Sequence, residues 1–359
     1  MADRISLRQV AREASVSLAT VSMALRGDTR ILPATRELVL AAARRLGYEP
    51  NPTLSALAQQ RWQTTGKFGG NILAVVYHDK GAEKLSRDAA YFSPEPLPSY
   101  QQPGVAAYAS KLGYGVETFN LATYPNGRAL GRVLHQRGIR GIILAPLYEP
   151  IHEPAIEWAH FSVVSLGASL FQTPFHTVDL NCHDQIMLAL ERIINLGYRR
   201  IGVVLLRHSI NLIHDEEREG ACLVAATKWK SLGVKIPLLL HTADLSSDAF
   251  QDRYVAWFKK HKPECILGFS NGYKERLTLG PRLRCPEDFG FASLHLMGDT
   301  DNINCAGIPI NDTERGRYAV YLLDLLLRGK ETGLPLHPIV HKVGFEWRDG
   351  ATLPPVRNG

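Results

Sequence analysis

The sequence predicts a small all-α helix-turn-helix head followed by an α/β body made of two doubly wound parallel-sheet lobes. Three observations lead to this fold class. The first 48 residues show helical spacing and helix-capping residues. Beyond them, short apolar runs alternate with helical patterns, which is typical of parallel sheets covered by helices on both faces. The length of 359 residues exceeds that of a usual single domain.

The first two helices are short and closely connected. Ser6, followed three residues later by Gln9, forms a capping-box pattern, after which four apolar positions share one helical face: Leu7, Val10, Ala11 and Ala14. After a short break, Ser17 is positioned to cap a second helix. A helix, a turn of three to four residues and a helix indicate a helix-turn-helix, whose second helix enters the DNA major groove.

A third helix is predicted from Pro33, a favoured first helical residue, to Leu46, with Gly47 at its end. Asn51 and Pro52 then open the stretch TLSALA, which is too short to be a stable helix alone. Positive charge is concentrated in this part of the chain, because residues 1–61 contain nine arginines and only five acidic residues. Arginine suits contacts to phosphate and guanine.

The segments ISLRQVAREASVSLATVSMALRG and ATRELVLAAARRLGYEPNPTLSALA resemble the head and hinge of lactose-repressor-type (LacI/GalR) regulators. In that family a recognition helix reads bases, and paired hinge helices wedge a leucine into the minor groove. The resemblance assigns the wedge to Leu57 and base reading to Leu18, Ala19 and Met23. It assigns phosphate contacts to seven polar residues: Ser6, Ser17, Thr20, Ser22, Thr35, Tyr48 and Asn51. Leu7, Arg26 and Leu54 complete the expected DNA-binding set with Arg8 and Arg30.

The apolar character of the base-reading positions leaves two interpretations. Such side chains contact thymine methyl groups but do not read guanine bidentately. Either the operator is A·T-rich at those positions, or specificity depends more on Arg8, Arg30, the hinge and DNA shape. The sequence also departs from the family pattern at three positions. Ser15 stands where a turn glycine is usual, Leu32 stands where a capping serine is usual, and Pro52 directly follows Asn51.

Seven apolar runs predict the strands of the body: NILAVVYH, GIILAPLY, SVVSLG, TVDL, RIGVVLL, ECILGFS and FGFASLHL. The body also resembles the family, whose two lobes are like those of periplasmic sugar-binding proteins and are crossed by three strands. Open parallel sheets bind ligands beyond the carboxyl ends of their strands. This predicts that an effector contacts Tyr77, Tyr148, Asn271 and His295.

Two substitutions put a hexose effector in doubt. Family members that bind sugars have an arginine three residues before a glycine, where this chain has Glu217 before Gly220. They also have an aspartate where this chain has Gly272, after Asn271. The changes remove a charged donor and a bidentate acceptor for sugar hydroxyls, so we expect an altered effector or none.

A serine esterase is the alternative function. GFSNG, residues 268–272, matches the G-x-S-x-G nucleophile elbow and follows an apolar run, with Ser270 as the nucleophile. Asp288 or Asp299 and then His337 follow in the order that a hydrolase triad requires. The absence of an upstream oxyanion-hole glycine cluster argues against this reading, and we expect no catalytic residues.

The remaining features suggest a cytoplasmic regulator. The five scattered cysteines indicate neither a disulfide framework nor a zinc site, and there is no signal-peptide pattern or long apolar run. We expect no cofactor and no metal. The predicted organisation is a head at residues 1–50, a hinge helix and linker at 51–66, and an effector-binding and dimerisation body at 67–359. Operator DNA, a second copy of the chain in a homodimer and a small-molecule effector are the expected partners.

Overall fold

The chain divides into two units, residues 1–67 and 68–359. The computed structural model describes residues 7–25, 31–46, 48, 72–78, 103–145, 155–167, 174–207, 213–242, 247–270, 272–279, 282–296, 304–309 and 312–356.

Three helices make up the described part of the first unit: α1 (Leu7–Glu13), α2 (Leu18–Leu25) and α3 (Pro33–Leu46). Each contributes one fully buried valine to a common core, namely Val10, Val21 and Val39. The rest of the buried core consists of alanines, whose small side chains let short helices approach closely: Ala11, Ala14, Ala24, Ala42 and Ala43. The predicted bounds of α3 are confirmed.

The second unit alternates strands and helices. Its strands are β1 (Ile72–Tyr77), β2 (Gly115–Asn120), β3 (Gly141–Leu144), β4 (Ser162–Leu166), β5 (His176–Leu180), β6 (Ile201–Leu206), β7 (Leu238–His241), β8 (Cys265–Gly268), β9 (Gly290–Leu296), β10 (Ala306–Pro309) and β11 (Val340–Val343). Its helices are α4 (Pro103–Lys111), α5 (Gly127–Gln136), α6 (Cys182–Asn195), α7 (Ile213–Lys228), α8 (Asp248–His261), α9 (Gly272–Leu279) and α10 (Asp312–Gly329).

These strands form two parallel sheets. The sheet of the first lobe has the order β11-β5-β4-β3-β1-β2, and the sheet of the second lobe has the order β10-β9-β8-β6-β7. Every strand pair is parallel. In both sheets the first strand along the chain lies between the second and the third, so the two lobes repeat one winding order. The predicted fold class of a helical head and two doubly wound lobes is confirmed.

The chain crosses between the lobes three times, as the family resemblance predicts. It leaves the first lobe after β5, since α6 packs in the core of the second lobe through Ile186 and Ile193. It returns after β10, because α10 packs on β4 and β3 of the first lobe with Val320 and Leu323 buried. It leaves the first lobe again after β11, and Leu353 is buried in the core of the second lobe. Each lobe is therefore assembled from two separate stretches of chain.

Candidate functional site

The turn between α1 and α2 is set by backbone and capping hydrogen bonds. Ser15 has a φ of 51°, the left-handed conformation that glycine adopts more readily. Val16 N–H donates to the Ala11 carbonyl at 3.1 Å and closes the end of α1. Ser17 Oγ accepts from Thr20 N–H at 3.0 Å, so Ser17 caps α2 as the sequence predicts. The serine at position 15 thus keeps the turn geometry at some conformational cost.

The described part of the head presents several positively charged side chains. Arg8, Arg12, Arg44 and Arg45 are exposed. Arg45 lies 3.4 Å from Glu13 and links α3 to α1, whereas Arg44 donates to the Leu40 carbonyl of its own helix. An exposed set of guanidinium groups on a small helical unit suits binding to a polyanion.

The predicted DNA-binding residues fall into two groups. Leu7 is the first residue of α1, and the α2 positions are Leu18, Ala19, Thr20, Ser22 and Met23. Thr35 lies in the first turn of α3, and Tyr48 is half-buried against the head core, its N–H donating to the Ala43 carbonyl at 2.9 Å. Six predicted contacts lie outside the described residues: Ser6, Arg26, Arg30, Asn51, Leu54 and Leu57. Their DNA contacts stay predictions.

In the body, the strand order changes direction between β1 and β3 in the first lobe and between β6 and β8 in the second. Ligands of such sheets bind beyond the carboxyl ends of the strands at these points. Tyr77 ends β1 and is half-buried, and His295 lies in β9, 4% exposed. Tyr148 and Asn271 lie outside the described residues. Effector contacts of all four remain predictions.

His295 is held in a buried aromatic environment. Its Nδ1 lies 3.1 Å from the Phe269 carbonyl oxygen, and its ring meets the Phe269 ring edge-on at 5.0 Å. The guanidinium of Arg218 lies 4.9 Å from the centre of the same phenylalanine ring. Burial lowers the pKa of His295 well below its usual 6.5, and the positive charge of Arg218 acts in the same direction. The imidazole is therefore neutral at physiological pH.

A network of charged side chains joins the two lobes. Asp179 of β5 accepts from His214 Nε2 of α7 at 2.8 Å. Lys342 of β11 donates to Asp179 at 3.2 Å and to Glu217 of α7 at 3.0 Å. Asp179 and Lys342 belong to the first lobe, whereas His214 and Glu217 belong to the second. We call these four residues the interlobe network.

The interlobe network stabilises the charged state of its aspartate. Burial alone would raise the pKa of Asp179, but the hydrogen bond and charge of His214 and the ammonium group of Lys342 lower it from 3.8 to about 2. The pKa of Lys342 is raised by Asp179 and Glu217 although its burial acts to lower it. Both groups are charged at neutral pH, and each contacts the second lobe, Asp179 through His214 and Lys342 through Glu217.

Sequence reasoning missed this network, apart from noting the unusual Glu217. Its members come from three distant stretches of the chain, around residues 179, 214–217 and 342, and one signal in the sequence indicated it: an aspartate within the apolar strand run TVDL. A buried carboxylate needs a charged or hydrogen-bonding partner. That requirement alone does not identify which histidine or lysine the fold supplies.

The esterase alternative is not supported. Ser270 is buried beyond β8 of the second lobe, whereas His337 is exposed between α10 and β11 of the first lobe. The Asp288 carboxylate accepts from Arg284 N–H at 2.8 Å. Asp299 lies outside the described residues. The elbow-like sequence is therefore the connection between β8 and α9, with no triad assembled from the described candidates.

The described chain thus consists of a three-helix head and a body of two parallel-sheet lobes. Residues 6–51 match the family model described as "Bacterial regulatory proteins, lacI family". The resemblance predicted for the head is thereby confirmed, and this part of the chain is a lacI-family domain.

Relatives match over part of the chain. Catabolite control protein A of Priestia megaterium is 38% identical over 84 residues, which are 23% of this chain and 25% of that protein. The regulator GalS of Salmonella typhimurium is 47% identical over 62 residues, 17% of this chain and 18% of that protein. The regulator CelR of Thermobifida fusca is 28% identical over 210 residues, 56% of this chain and 55% of that protein. The chain thus spans only about a quarter of the length of the first such relative.

Solved structures share the fold over most of the chain. A lac repressor dimer bound to operator and the anti-inducer ONPF has a TM-score of 0.53 at 18% identity, covering 98% of this chain and 100% of that chain. A LacI-family protein from Rhizobium etli has a TM-score of 0.59 at 14% identity, covering 79% of this chain and 99% of that chain. No helix within the described ranges is both long and apolar enough to cross a membrane.

Proposed function

We propose that the protein is a sequence-specific DNA-binding transcription regulator that acts as a homodimer in the bacterial cytoplasm. The observation that carries this proposal is the lacI-family match at residues 6–51, which coincides with the three packed helices α1, α2 and α3. A helix-turn-helix places its second helix in the major groove and binds two half-sites as a dimer. Here α2 is the recognition helix.

For the DNA contacts we propose those that the family resemblance assigns. Base reading falls to Leu18, Ala19 and Met23, with phosphate contacts from the polar residues around them. Leu57 inserts into the minor groove. Unstacking a base step costs about a few kcal/mol, which the wider contact with bent DNA offsets.

We further propose that a small molecule controls DNA affinity. It would bind between the lobes, in the cleft where the interlobe network lies. Among the structural neighbours, one is described as a CelR–cellobiose complex, with a TM-score of 0.50 at 18% identity. A ligand shifts the protein between two states only through its different affinity for them. Asp179 and His214 belong to different lobes, so a movement of the lobes would change their contact, which would then transmit that preference.

The proposed function is tested by selecting bound sites from random DNA with the purified full chain. We expect a pseudo-palindromic site, and an affinity for it that falls with salt because phosphate contacts release counterions. Recovery of no enriched sequence would refute specific DNA recognition.

Leu57→Ala tests the hinge separately. We expect it to weaken binding to the selected site while nearly preserving the salt-dependent affinity for unrelated DNA. Leu38→Ala is the matched control, because Leu38 is an exposed leucine on α3, 53% exposed. An equal loss on both kinds of DNA would contradict the wedge role of Leu57.

A further inference from the structure

Three potential metal ligands meet where α6 and α7 pack together in the second lobe. Cys182 is the first residue of α6, and His214 and Glu217 lie in the first turns of α7. One donor atom of each residue lies within 4.8 Å of the other two. Cys182 and His214 are buried and Glu217 is half-buried. We call these three residues the Cys-His-Glu cluster.

Each member of the cluster retains a donor atom for an ion. Lys342 binds Oε1 of Glu217, whereas Oε2 is buried without a hydrogen-bond partner among the described residues. Asp179 accepts from Nε2 of His214, which in a neutral ring fixes the proton there and leaves the Nδ1 lone pair for a ligand bond. Cys182 contributes its buried Sγ, and a bound cation of this kind deprotonates the thiol that ligates it.

Asp179 completes an arrangement that metal sites commonly use. A histidine that binds a metal usually donates its other ring N–H to a carboxylate, which orients the ring and makes it a better ligand. Asp179 holds His214 at 2.8 Å in this way, and it does so from the opposite lobe. An ion bound through His214 would therefore be linked to the contact between the lobes.

Local charge favours a cation. The carboxylates of Asp179 and Glu217 face the single ammonium group of Lys342, while Arg218 lies 3.7 Å from Asp215 and is balanced by it. When the His214 ring is neutral, these named side chains therefore leave one excess negative charge beside the cluster. A tetrahedral ion with zinc-like bond lengths holds its ligand atoms roughly 3.3–3.8 Å apart, so a modest side-chain rotation brings the three donors together.

We propose that Cys182, His214 and Glu217 form a binding site for a borderline divalent cation of the zinc type, with Asp179 as the residue that orients His214. Thiolate, imidazole and carboxylate are the ligands that such ions prefer. Three protein ligands leave a fourth position for water or another ligand. The site is independent of the proposed DNA-binding function, and its test needs no DNA.

The experiment titrates Co²⁺ into the full-length protein after treatment with a chelator. We expect one Co²⁺ per chain, with a thiolate-to-cobalt charge-transfer absorption band that Zn²⁺ abolishes by displacement. Cys182→Ser should remove the band, and Cys222→Ser should keep it. Cys222 is the matched control because it is also a buried thiol and lies on α7, the helix of His214 and Glu217, outside the cluster.

Substitutions at Asp179 and Glu217 should weaken Co²⁺ binding to different degrees. Asp179→Asn should weaken the affinity by about 10–100-fold while keeping the band, since it removes only the partner of a ligand. Glu217→Gln should weaken the affinity for Co²⁺ by at least as much. Cys182→Ala provides a second variant, and circular dichroism verifies that each variant folds. A band that is absent from the unmodified protein, that persists in both Cys182 variants or that disappears in Cys222→Ser would overturn the site.

Discussion

Replacing Asp179 with asparagine removes one negative charge from the interlobe network while preserving side-chain size. The side chain is 6% exposed and contacts His214 and Lys342, so solvent screens these interactions weakly. The lowering of its pKa from 3.8 to about 2 corresponds to roughly 2.5 kcal/mol of favourable interaction with the ionised form. This contribution is fully present above pH 3.8 and is lost as the pH falls through about 2. We therefore expect Asp179→Asn to lower the free energy of unfolding by about 2–3 kcal/mol at pH 7.

Urea unfolding of the full chain in the presence of a chelator measures this loss, with circular dichroism and tryptophan fluorescence as probes. Asp252→Asn, an exposed aspartate on α8, is the control and should change stability by less than about 0.5 kcal/mol. Lys342→Met, alone and combined with Asp179→Asn, should show a coupling energy of about 0.5–3 kcal/mol. Equal effects of Asp179→Asn and Asp252→Asn, or strict additivity with Lys342→Met, would refute the reasoning.

Three further predictions concern the buried histidine and the backbone. Because the folded state keeps His295 neutral, the unfolded state binds its proton first as the pH falls below 6.5, so stability should decrease by up to about 1.4 kcal/mol per pH unit. His295→Gln should remove that part of the slope in urea unfolding at pH 5–6.5, and an unchanged slope would contradict it. Gly307→Ala should destabilise the second lobe by about 3–5 kcal/mol, because φ is 147° and a Cβ would lie 2.1 Å from the Ser293 carbonyl oxygen. Gly220→Ala on α7, where a Cβ meets no atom within 4 Å, should instead stabilise the protein by up to about 1 kcal/mol. Equal urea midpoints for Gly307→Ala and Gly220→Ala would disprove the steric explanation. Ser15→Gly should relieve the left-handed turn and slow amide hydrogen exchange in α1 and α2 by about 5-fold, whereas faster exchange would contradict strain at Ser15.

The seven strands predicted from apolar runs are the seven that lie inside the sheets. The four strands that the sequence did not predict are the sheet edges: β2 and β11 in the first lobe, and β7 and β10 in the second. An inner parallel strand is buried on both faces and between two neighbours, which demands continuous apolar sequence. An edge strand has one neighbour and tolerates polar residues, as in GVETFN of β2 and VHKV of β11. These two edge strands are therefore hidden from a search for apolar runs, whereas β7 (LLLH) and β10 (AGIP) are apolar edge strands that the search overlooked.

The head was predictable because its information is local. Ser17 as a cap, Pro33 as the first residue of α3 and the spacing of Val10 and Ala14 all act within a few residues. The interlobe network has no such local rule. Asp179 and Lys342 become neighbours through the pairing of β5 with β11, a strand that the sequence pattern does not reveal.

The three crossings have a consequence for synthesis. The second lobe needs residues 345–356, because Leu353 is buried in its core and the Thr352 hydroxyl donates to the Phe291 carbonyl at 2.8 Å. It cannot be completed until that stretch has left the ribosome, long after α6 and β6 have emerged. Until then the part of the second core that residues 345–356 cover stays uncovered. The nascent chain therefore reaches its native fold only late in synthesis. A stop codon before residue 345 would remove a part of the second core that no earlier segment replaces.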